Sequence, residues 1–578
     1  MKKHIALFLA FLLTVSLCAA ITAHAEGNLS APGAPGPIWL GAEPRVINIM
    51  TPQHPKVSDY VDNAYTKWIE KSCNVKLHFD FLPSTDTISK LSTMIAGDQL
   101  RAMGINVVCY RISLTQAKGF ADNGAFMDLS EYFKKGLAVN CEKANAAFPE
   151  YNILKSVTTT DGNIYGIPSL QIGPSNEVKY KMWVNQDWLK KLGMELPKTT
   201  QEFHDMLVRF KNEDPNGNGK ADEIPFVASY NGYGGTAHKF LTNSFVFEGD
   251  DDMFILKDGK VSVSYIQPEW FEACDYLKQL RDEGLLSDQS FTYTNDDLKA
   301  LITAGNNVGV STSSSMSFLG QGNDPYRMRY IPLDPLIGPH GVQQAAFIRS
   351  VALPCWFITP WTKEQDPELA ELCFRVGDFQ FCEEGFLRGR FGIEGENWSK
   401  IEDFKKAYPN IELLEMQPIP NIPAKYVFFN DKFDLEVNNL YWFTNEPYFS
   451  GMTEAEELTP NPDIHGVPFD PEHTSVYRWR LANRSYRELR AKDDVIVPPL
   501  IFSEDELDQL GDMQSNIVSY VNEQRAKYIL GQQSDISNRE RFIQNLKDTF
   551  FLDTLLEIAN TAYSREYGSD ASNAGAAA

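Results

Sequence analysis

Positive charge is scarce in this sequence. Of 578 residues, 53 are Lys or Arg against 77 Asp or Glu, a formal charge of −24. A surface this acidic repels nucleic acid and anionic membranes. It also disfavours strongly anionic ligands unless local Lys and Arg residues answer them. Metal spacing is missing among the cysteines: of eight, the seven after Cys18 (Cys73, Cys109, Cys141, Cys274, Cys355, Cys373 and Cys382) form no CxxC pair. Without Cys18 their odd number argues against a full disulfide framework. They read as small buried apolar residues, with room for one incidental bridge. GxSxG, HExxH and a phosphate-binding Gly loop are all absent, which removes the usual marks of a serine hydrolase, a zinc protease or a nucleotide enzyme. Beyond the first 25 residues no apolar run is long enough to span a bilayer. No internal repeat is found.

What is present begins with an export signal. Lys2 and Lys3 precede the apolar run 5–23, and Ala23-His24-Ala25 is a small-x-small cleavage site. The mature chain is expected from Glu26, and loss of the two lysines takes the charge from −24 to −26. Lipid anchoring at Cys18 is the rival, but Leu17 stands where a lipobox wants a small residue. Residues 26–43 are rich in Gly, Ala and Pro and read as a linker. The length predicts more than one folded unit, and 43% hydrophobic with 22% charged residues is ordinary for a globular protein.

The most specific local pattern is Asp214-Pro-Asn-Gly-Asn-Gly-Lys-Ala-Asp-Glu223. Alternate Asp214, Asn216 and Asn218 side chains, the Lys220 carbonyl and the carboxylates of Asp222 and Glu223 offer oxygens to a hard dication. Gly219 permits the bend. The bland alternative is a plain Asx/Gly turn. Position twelve of an EF-hand loop would be Pro225 instead of Glu, so Asp222 and Glu223 would close the site. No amphipathic helix follows. The pattern therefore implies a structural Ca²⁺ staple, not a switch.

Along the chain, strand and helix patterns alternate. Strands are expected at 45–50, 74–81 and 105–110, with helices at 59–71, 85–96 and 114–123. Further strands are expected at 164–168, 178–184, 224–230, 308–310 and 351–358, and helices at 187–192, 200–211, 268–283, 366–383, 502–528 and 536–563. Such alternation predicts parallel, doubly wound α/β sheets. Residues 569–578 read as a disordered tail.

Several segments, taken in order, resemble the extracellular solute-binding proteins of bacterial ABC importers. More narrowly, they are similar to the large calcium-containing saccharide-binding branch that includes the alginate-binding proteins. These segments are Asp161-Gly-Asn-Ile-Tyr-Gly-Ile-Pro168, Trp183-Val-Asn-Gln-Asp-Trp-Leu-Lys-Lys-Leu-Gly193, Tyr276-Leu-Lys-Gln-Leu-Arg-Asp-Glu-Gly-Leu285, Phe391-Gly-Ile-Glu-Gly-Glu-Asn-Trp398, Glu523-Gln-Arg-Ala-Lys-Tyr-Ile-Leu-Gly531 and Ala562-Tyr-Ser-Arg-Glu-Tyr567. One departure is Gln99-Leu-Arg-Ala after Gly97-Asp98, where the family usually has Pro-Asp. The resemblance implies a two-lobed type II periplasmic-binding-protein fold, with ligand in an interlobe cleft. Residues 44–178 with 309–352 are expected in lobe 1, and 179–308 with 353–568 in lobe 2 and its C-terminal helices. Crossings are expected near 177–183, 307–311 and 351–356. It further implies a monomeric, non-enzymatic binder outside the cell that captures an oligosaccharide for membrane permease subunits.

Sugars present apolar C–H faces and hydroxyl rims, which call for aromatic rings beside polar side chains. Residues of those types near strand ends are Gln53, His54, Tyr110, Arg111, Tyr230, Asn231, Tyr233, Ser313, Ser314, Ser315, Trp356 and Trp361. Glu394, Glu396 and Trp398 stand in a segment that borders the cleft in relatives, and Trp270 opens a helix. Each aromatic has a core alternative, and Trp183 and Trp188 read as core. Asp250 to Asp252 read as a solvated acidic turn. Two other classes compete: a glycoside hydrolase using Glu394 and Glu396, and a surface glycan sensor or adhesin.

Overall fold

In the computed structural model the described residues are 28–172, 174–250, 252–319, 325–409, 425–428, 437–442, 447, 456–458 and 475–568. The export signal, Cys18 and the expected tail lie outside them. Strands in chain order are β1 (Arg45–Pro52), β2 (Val75–Leu82), β3 (Val107–Cys109), β4 (Gly166–Ser169), β5 (Met182–Asn185), β6 (Ile224–Phe226), β7 (Phe254–Lys257), β8 (Lys260–Val263), β9 (Val308–Thr312), β10 (Tyr330–Leu333), β11 (Leu353–Ile358), β12 (Trp398–Lys400), β13 (Tyr426–Phe428) and β14 (Glu456–Leu458). The contacts divide the chain into two compact units.

Unit 1 takes the described residues of 1–169, 352–393 and 437–449. Its five-stranded sheet runs β2-β1-β3-β11-β4. β1 pairs in parallel with β2 and β3, whereas β11 is antiparallel to β3 and β4. Helices Ala64–Cys73, Thr87–Ala96 and Leu114–Asp122 follow the first three strands. The second and third start near their expected places, whereas the first starts five residues later than expected, because Asp59 Oδ1 accepts from the Val61 and Asp62 N–H groups in a turn and Asn63 is the cap. Asn63 caps the first, and Ser113 with Gln116 forms a capping box on the third. Ile105, Val108, Phe126, Phe357 and Trp361 meet in one core. The expected linker is not one over its described residues. Ser30 N–H bonds the Ile38 carbonyl at 2.9 Å, Arg375 Nη1 donates to the Ser30 carbonyl at 2.6 Å, and Trp39 is buried.

Unit 2 takes the described residues of 170–351, 394–436 and 450–578. Its sheet runs β10-β5-β9-β6. Only β6 and β9 are parallel; β5 is antiparallel to both β9 and β10. These two larger sheets are thus mixed, where strand–helix alternation had predicted parallel ones. The strand pairing also corrects the lobe assignment. β9 lies between β5 and β6 in unit 2, so 307–311 is no crossing. β11 lies between β3 and β4 in unit 1, so it does not belong with the second half. Two expected strands are shorter than their apolar runs. Residues 178–181 turn, with Lys181 N–H on the Lys179 carbonyl, and 227–230 form a loop.

The C-terminal helices Glu504–Leu510, Met513–Ile529, Arg539–Asp548 and Leu552–Tyr567 pack on β7, β8 and helix Pro268–Asp282. Their anchor is ionic. Arg525 Nη1 donates to both Glu248 oxygens at 2.9 Å, Lys239 Nζ lies 3.6 Å from Oε1, and Trp270 Nε1–H donates to Oε2 at 2.8 Å. Burial opposes ionisation of Glu248, but Arg525, then Lys239 and His238, hold its carboxyl down at about 2. All seven described cysteines are free, and six are buried.

Candidate functional site

The sheet of unit 2 gathers three loops at one end. β6 and β9 run in parallel, with Phe226 beside Val310, so the loops after both leave the same edge. β5 runs the other way, with Met182 beside Thr312, so the segment before it begins at that edge. Residues 176–181, 227–236 and 313–316 therefore converge at the carboxyl ends of parallel strands, where open α/β sheets place ligands.

Backbone bonds tie the loops together. Ser313 N–H donates to the Lys181 carbonyl at 3.0 Å, and Ser314 N–H to the Tyr233 carbonyl at 2.9 Å. Thr312 Oγ1 donates to the Gly235 carbonyl at 2.6 Å, and Trp183 Nε1–H to the Ser313 carbonyl at 2.7 Å. Gly234 has φ +67°, and a Cβ there would sit 2.1 Å from the Lys179 carbonyl oxygen. Only glycine allows this approach.

The knitted loops hold two tyrosines out to solvent: Tyr230 is 54% exposed and Tyr233 55%. Tyr230 N–H is held by the Tyr293 carbonyl at 2.9 Å. Tyr233 is fixed at its tip, where the hydroxyl donates to Asn176 Oδ1 at 2.8 Å. Partial burial, then the Asp250 carboxylate, push that phenol up, so it keeps its proton at neutral pH. Lys179 Nζ lies 5.8 Å from the Tyr233 ring centre, 5.2 Å from that of Tyr180, and 3.4 Å from Asp250 Oδ1. Rings with exposed faces beside a donor–acceptor pair suit a hydroxyl-rich ligand with apolar faces.

Of the residues proposed from sequence, Tyr230, Asn231, Tyr233, Ser313 and Ser314 come together here. Asn231 Oδ1 accepts from Asn295 N–H at 3.1 Å. Ser314 is buried and serves as framework. Gln53, His54, Tyr110 and Arg111 stand instead at the carboxyl ends of β1 and β3 in unit 1. Gln53 is exposed and the other three are half-buried. His54 Nδ1 accepts from the Lys56 N–H, and burial, then Lys56, lower its imidazole pKa.

The tryptophans are corrected. Trp270 stacks on Phe542 and donates to Glu248; Trp356 donates to the Cys373 carbonyl; Trp361 donates to the Ile105 carbonyl under Arg101; Trp398 packs edge-on to Tyr426. All four are buried. Large rings beside apolar runs bury more surface in a core than a rim offers. Glu394 and Glu396 are exposed on the turn before strand Trp398–Lys400. Asn176 and Lys179 were missed, and Asp250, read from sequence as part of a solvated acidic turn, stands beside Lys179. The signal was Val178-Lys-Tyr-Lys-Met-Trp-Val184, where two lysines interrupt an apolar run without a stated partner.

The Asp214–Glu223 loop is compact and separate. Asn218 and Gly219 N–H groups donate to the Asp214 carboxylate at 3.1 Å each, and Lys220 N–H to Asn218 Oδ1 at 2.7 Å. Asn216 and Asn218 amides donate to Asp222 Oδ1 at 3.1 and 2.9 Å. Glu223 Oε1 is buried with no hydrogen-bond partner. Burial, then Asp214 and Asp222, raise its pKa. A buried carboxylate oxygen without a donor, next to two more carboxylates, fits a cation. No group of three His, Cys, Asp or Glu side chains suited to a metal occurs among the described residues, so the set would be mixed carboxylate, amide and carbonyl.

Comparison with known proteins gives this geometry a context. Residues 52–324 match the family described as bacterial extracellular solute-binding protein. The fructooligosaccharide ABC transporter substrate-binding protein FusA of Streptococcus pneumoniae is 34% identical over 244 residues, 39% of this chain and 44% of that one. Lipoprotein LipO of Bacillus subtilis is 27% identical over 270 residues, 46% and 47% of the two chains. The chain thus spans about half the length of the curated relatives it matches. The structure of the S. pneumoniae protein in complex with kestose superimposes with TM-score 0.67 at 21% identity, covering 91% of this chain and 100% of that one. An EF-hand mutant of it in complex with fructo-nystose gives 0.66 at 21% identity, with the same coverage. The alginate-binding protein AlgQ2, solved without calcium ion, gives 0.58 at 18% identity, covering 91% and 99%. The fold is therefore the mixed α/β, two-sheet fold of solute-binding proteins.

Proposed function

We propose that this chain is the extracellular substrate-binding component of an ABC importer, and that it captures a neutral oligosaccharide and releases it unaltered to membrane permease subunits. The observation that carries the reading is the pair Tyr230 and Tyr233. Both rings are exposed on one loop at the carboxyl ends of the parallel strands β6 and β9. Sugar C–H faces stack on such rings, and burying them is worth roughly 25 cal/mol per Å² of apolar surface. The relative that shares 34% identity is a fructooligosaccharide binder, which supports fructo-oligosaccharides as the first ligands to test. The acidic composition favours neutral sugars over uronates. The chain acts as a monomer and binds one ligand per molecule.

Isothermal titration of the mature chain with kestose, nystose, oligogalacturonides and N-glycan fragments tests this. One-to-one binding of a neutral oligosaccharide, with a raised melting temperature, is expected. Silence across the panel, or turnover of any member, would overturn the reading.

The Asp214–Glu223 loop binds Ca²⁺ in the same proposal. Asp214, Asn216, Asn218, the Lys220 carbonyl, Asp222 and Glu223 would hold it. The ion would answer the charge of the Asp214, Asp222 and Glu223 carboxylates together with amide and carbonyl oxygens, and so pin the loop between helix Thr200–Asn212 and β6. The unpartnered Glu223 oxygen and the EF-hand named in a structural relative support it.

A further inference from the structure

The exposed tyrosines explain how an apolar sugar face is held, but not how one hydroxyl pattern is told from another. The charged groups beside them carry that distinction. Lys179 Nζ lies 3.4 Å from Asp250 Oδ1, at the long limit of a hydrogen bond. The ammonium has three donors, and no second hydrogen bond is made to it among the described residues. Its position is nevertheless restricted. The side chain is mostly covered, and the ammonium lies close to the ring centres of both Tyr180 and Tyr233, at 5.2 and 5.8 Å.

Asp250 is placed just as firmly. Its carbonyl accepts from Lys239 Nζ at 2.8 Å. Lys239 is buried, also contacts the Gly249 carbonyl, and faces the Glu248–Arg525 pair. The Asp250 side chain, by contrast, is 45% exposed. An anchored backbone with an outward carboxylate loses little entropy when that carboxylate is engaged.

We propose that Lys179 and Asp250 are specificity-determining residues that together read two adjacent hydroxyls of the sugar stacked on Tyr233. This rests on the oligosaccharide reading above. Each hydroxyl is both donor and acceptor. The carboxylate accepts from the hydroxyl hydrogens, and the ammonium donates to a hydroxyl oxygen. The pair has no net charge, so it adds hydrogen bonds without drawing in anions. A uronate would meet Asp250 with like charge, and a sugar deoxygenated at that edge would leave two charged groups unanswered.

The experiment uses the full mature chain, kestose as the neutral probe and trigalacturonate as the anionic one. Lys179→Met and Asp250→Asn should each weaken kestose binding about tenfold to a hundredfold, as expected for hydrogen bonds to charged groups. The double variant should be little worse than either single one, because the pair acts as a unit. Lys179→Arg should retain most of the affinity. Asp250→Asn should shift selectivity toward trigalacturonate, because it leaves Lys179 unopposed; a purely structural role would not produce that shift. The isosteric Asp250→Asn guards against misfolding, and its melting temperature without sugar should match that of the parent. Wild-type binding with unchanged affinity and selectivity in both single variants would overturn the pair's role and leave the capture reading intact. No sugar binding by the wild type would overturn both.

Discussion

Replacing Lys181 with methionine should make unit 2 more stable, and by an amount that depends on pH. Lys181 is fully buried at the start of β5. Its Nζ donates to the Val178 carbonyl at 2.5 Å and faces the Tyr486 ring at 5.7 Å. Burial pushes its ammonium from 10.5 down to about 7. Below about pH 7 both folded and unfolded chains carry the proton, and the folded state bears the full cost of a buried cation. Between about 7 and 10.5 only the unfolded chain carries it, so wild-type stability rises across that window. The shift corresponds to a cost on the order of 3–5 kcal/mol at pH 6. Methionine fills a similar volume without charge and forfeits one hydrogen bond worth about 1 kcal/mol. The net gain expected at pH 6 is about 2–4 kcal/mol, shrinking toward zero near pH 10. Paired urea unfolding curves of wild type and variant at pH 6, 8 and 10 measure it, because other titrating groups cancel in the difference. A gap independent of pH, or a variant less stable at pH 6, would refute the reasoning.

Other perturbations have equally definite outcomes. Arg525→Met leaves the Glu248 carboxylate buried without its main partner and should cost about 3–5 kcal/mol, read as a lower melting temperature. The same pair sets an acid limit: Glu248 titrates at about 2 when folded, so its contribution is complete above about 4.5 and is lost as pH falls toward 2, which acid unfolding curves will show. Gly234→Ala drives a Cβ against the Lys179 carbonyl and should weaken kestose binding by at least about tenfold, measured by titration. Excess chelator should lower the melting temperature without preventing sugar binding, and Asp214→Ala should remove the chelator's effect. An identical melting curve with and without chelator would rule out the ion.

Helices were legible in the sequence where capping residues and apolar spacing agreed. The capping box of Thr199 with Glu202 opens Thr200–Asn212 as expected. Strand composition was legible too, but strand partners were not. Nothing within Leu353–Ile358 states that its neighbours are β3 and β4, because pairing depends on distant chain. That is why the lobe boundaries moved. The expected helix 366–383 is Pro367–Gln380, opened by the proline that also ends the shorter helix Pro360–Gln365 before it. In the site, exposed tyrosines were found and buried tryptophans were wrongly included. Ring type alone cannot distinguish a solvent-facing loop from a core strand. The missed lysine shows the reverse, since a charge inside an apolar run asks for a partner that only the fold supplies.

The position of β11 affects how the protein is made. This strand lies between β3 and β4, yet in the chain it follows β4 by nearly the whole first part of unit 2. Until Leu353–Ile358 leaves the ribosome, unit 1 has a gap in the middle of its sheet. Unit 2 waits still longer, because Glu248 meets Arg525 only after a further 277 residues. Neither half can complete its core early, so the nascent chain stays incompletely folded until nearly all of it has been synthesised.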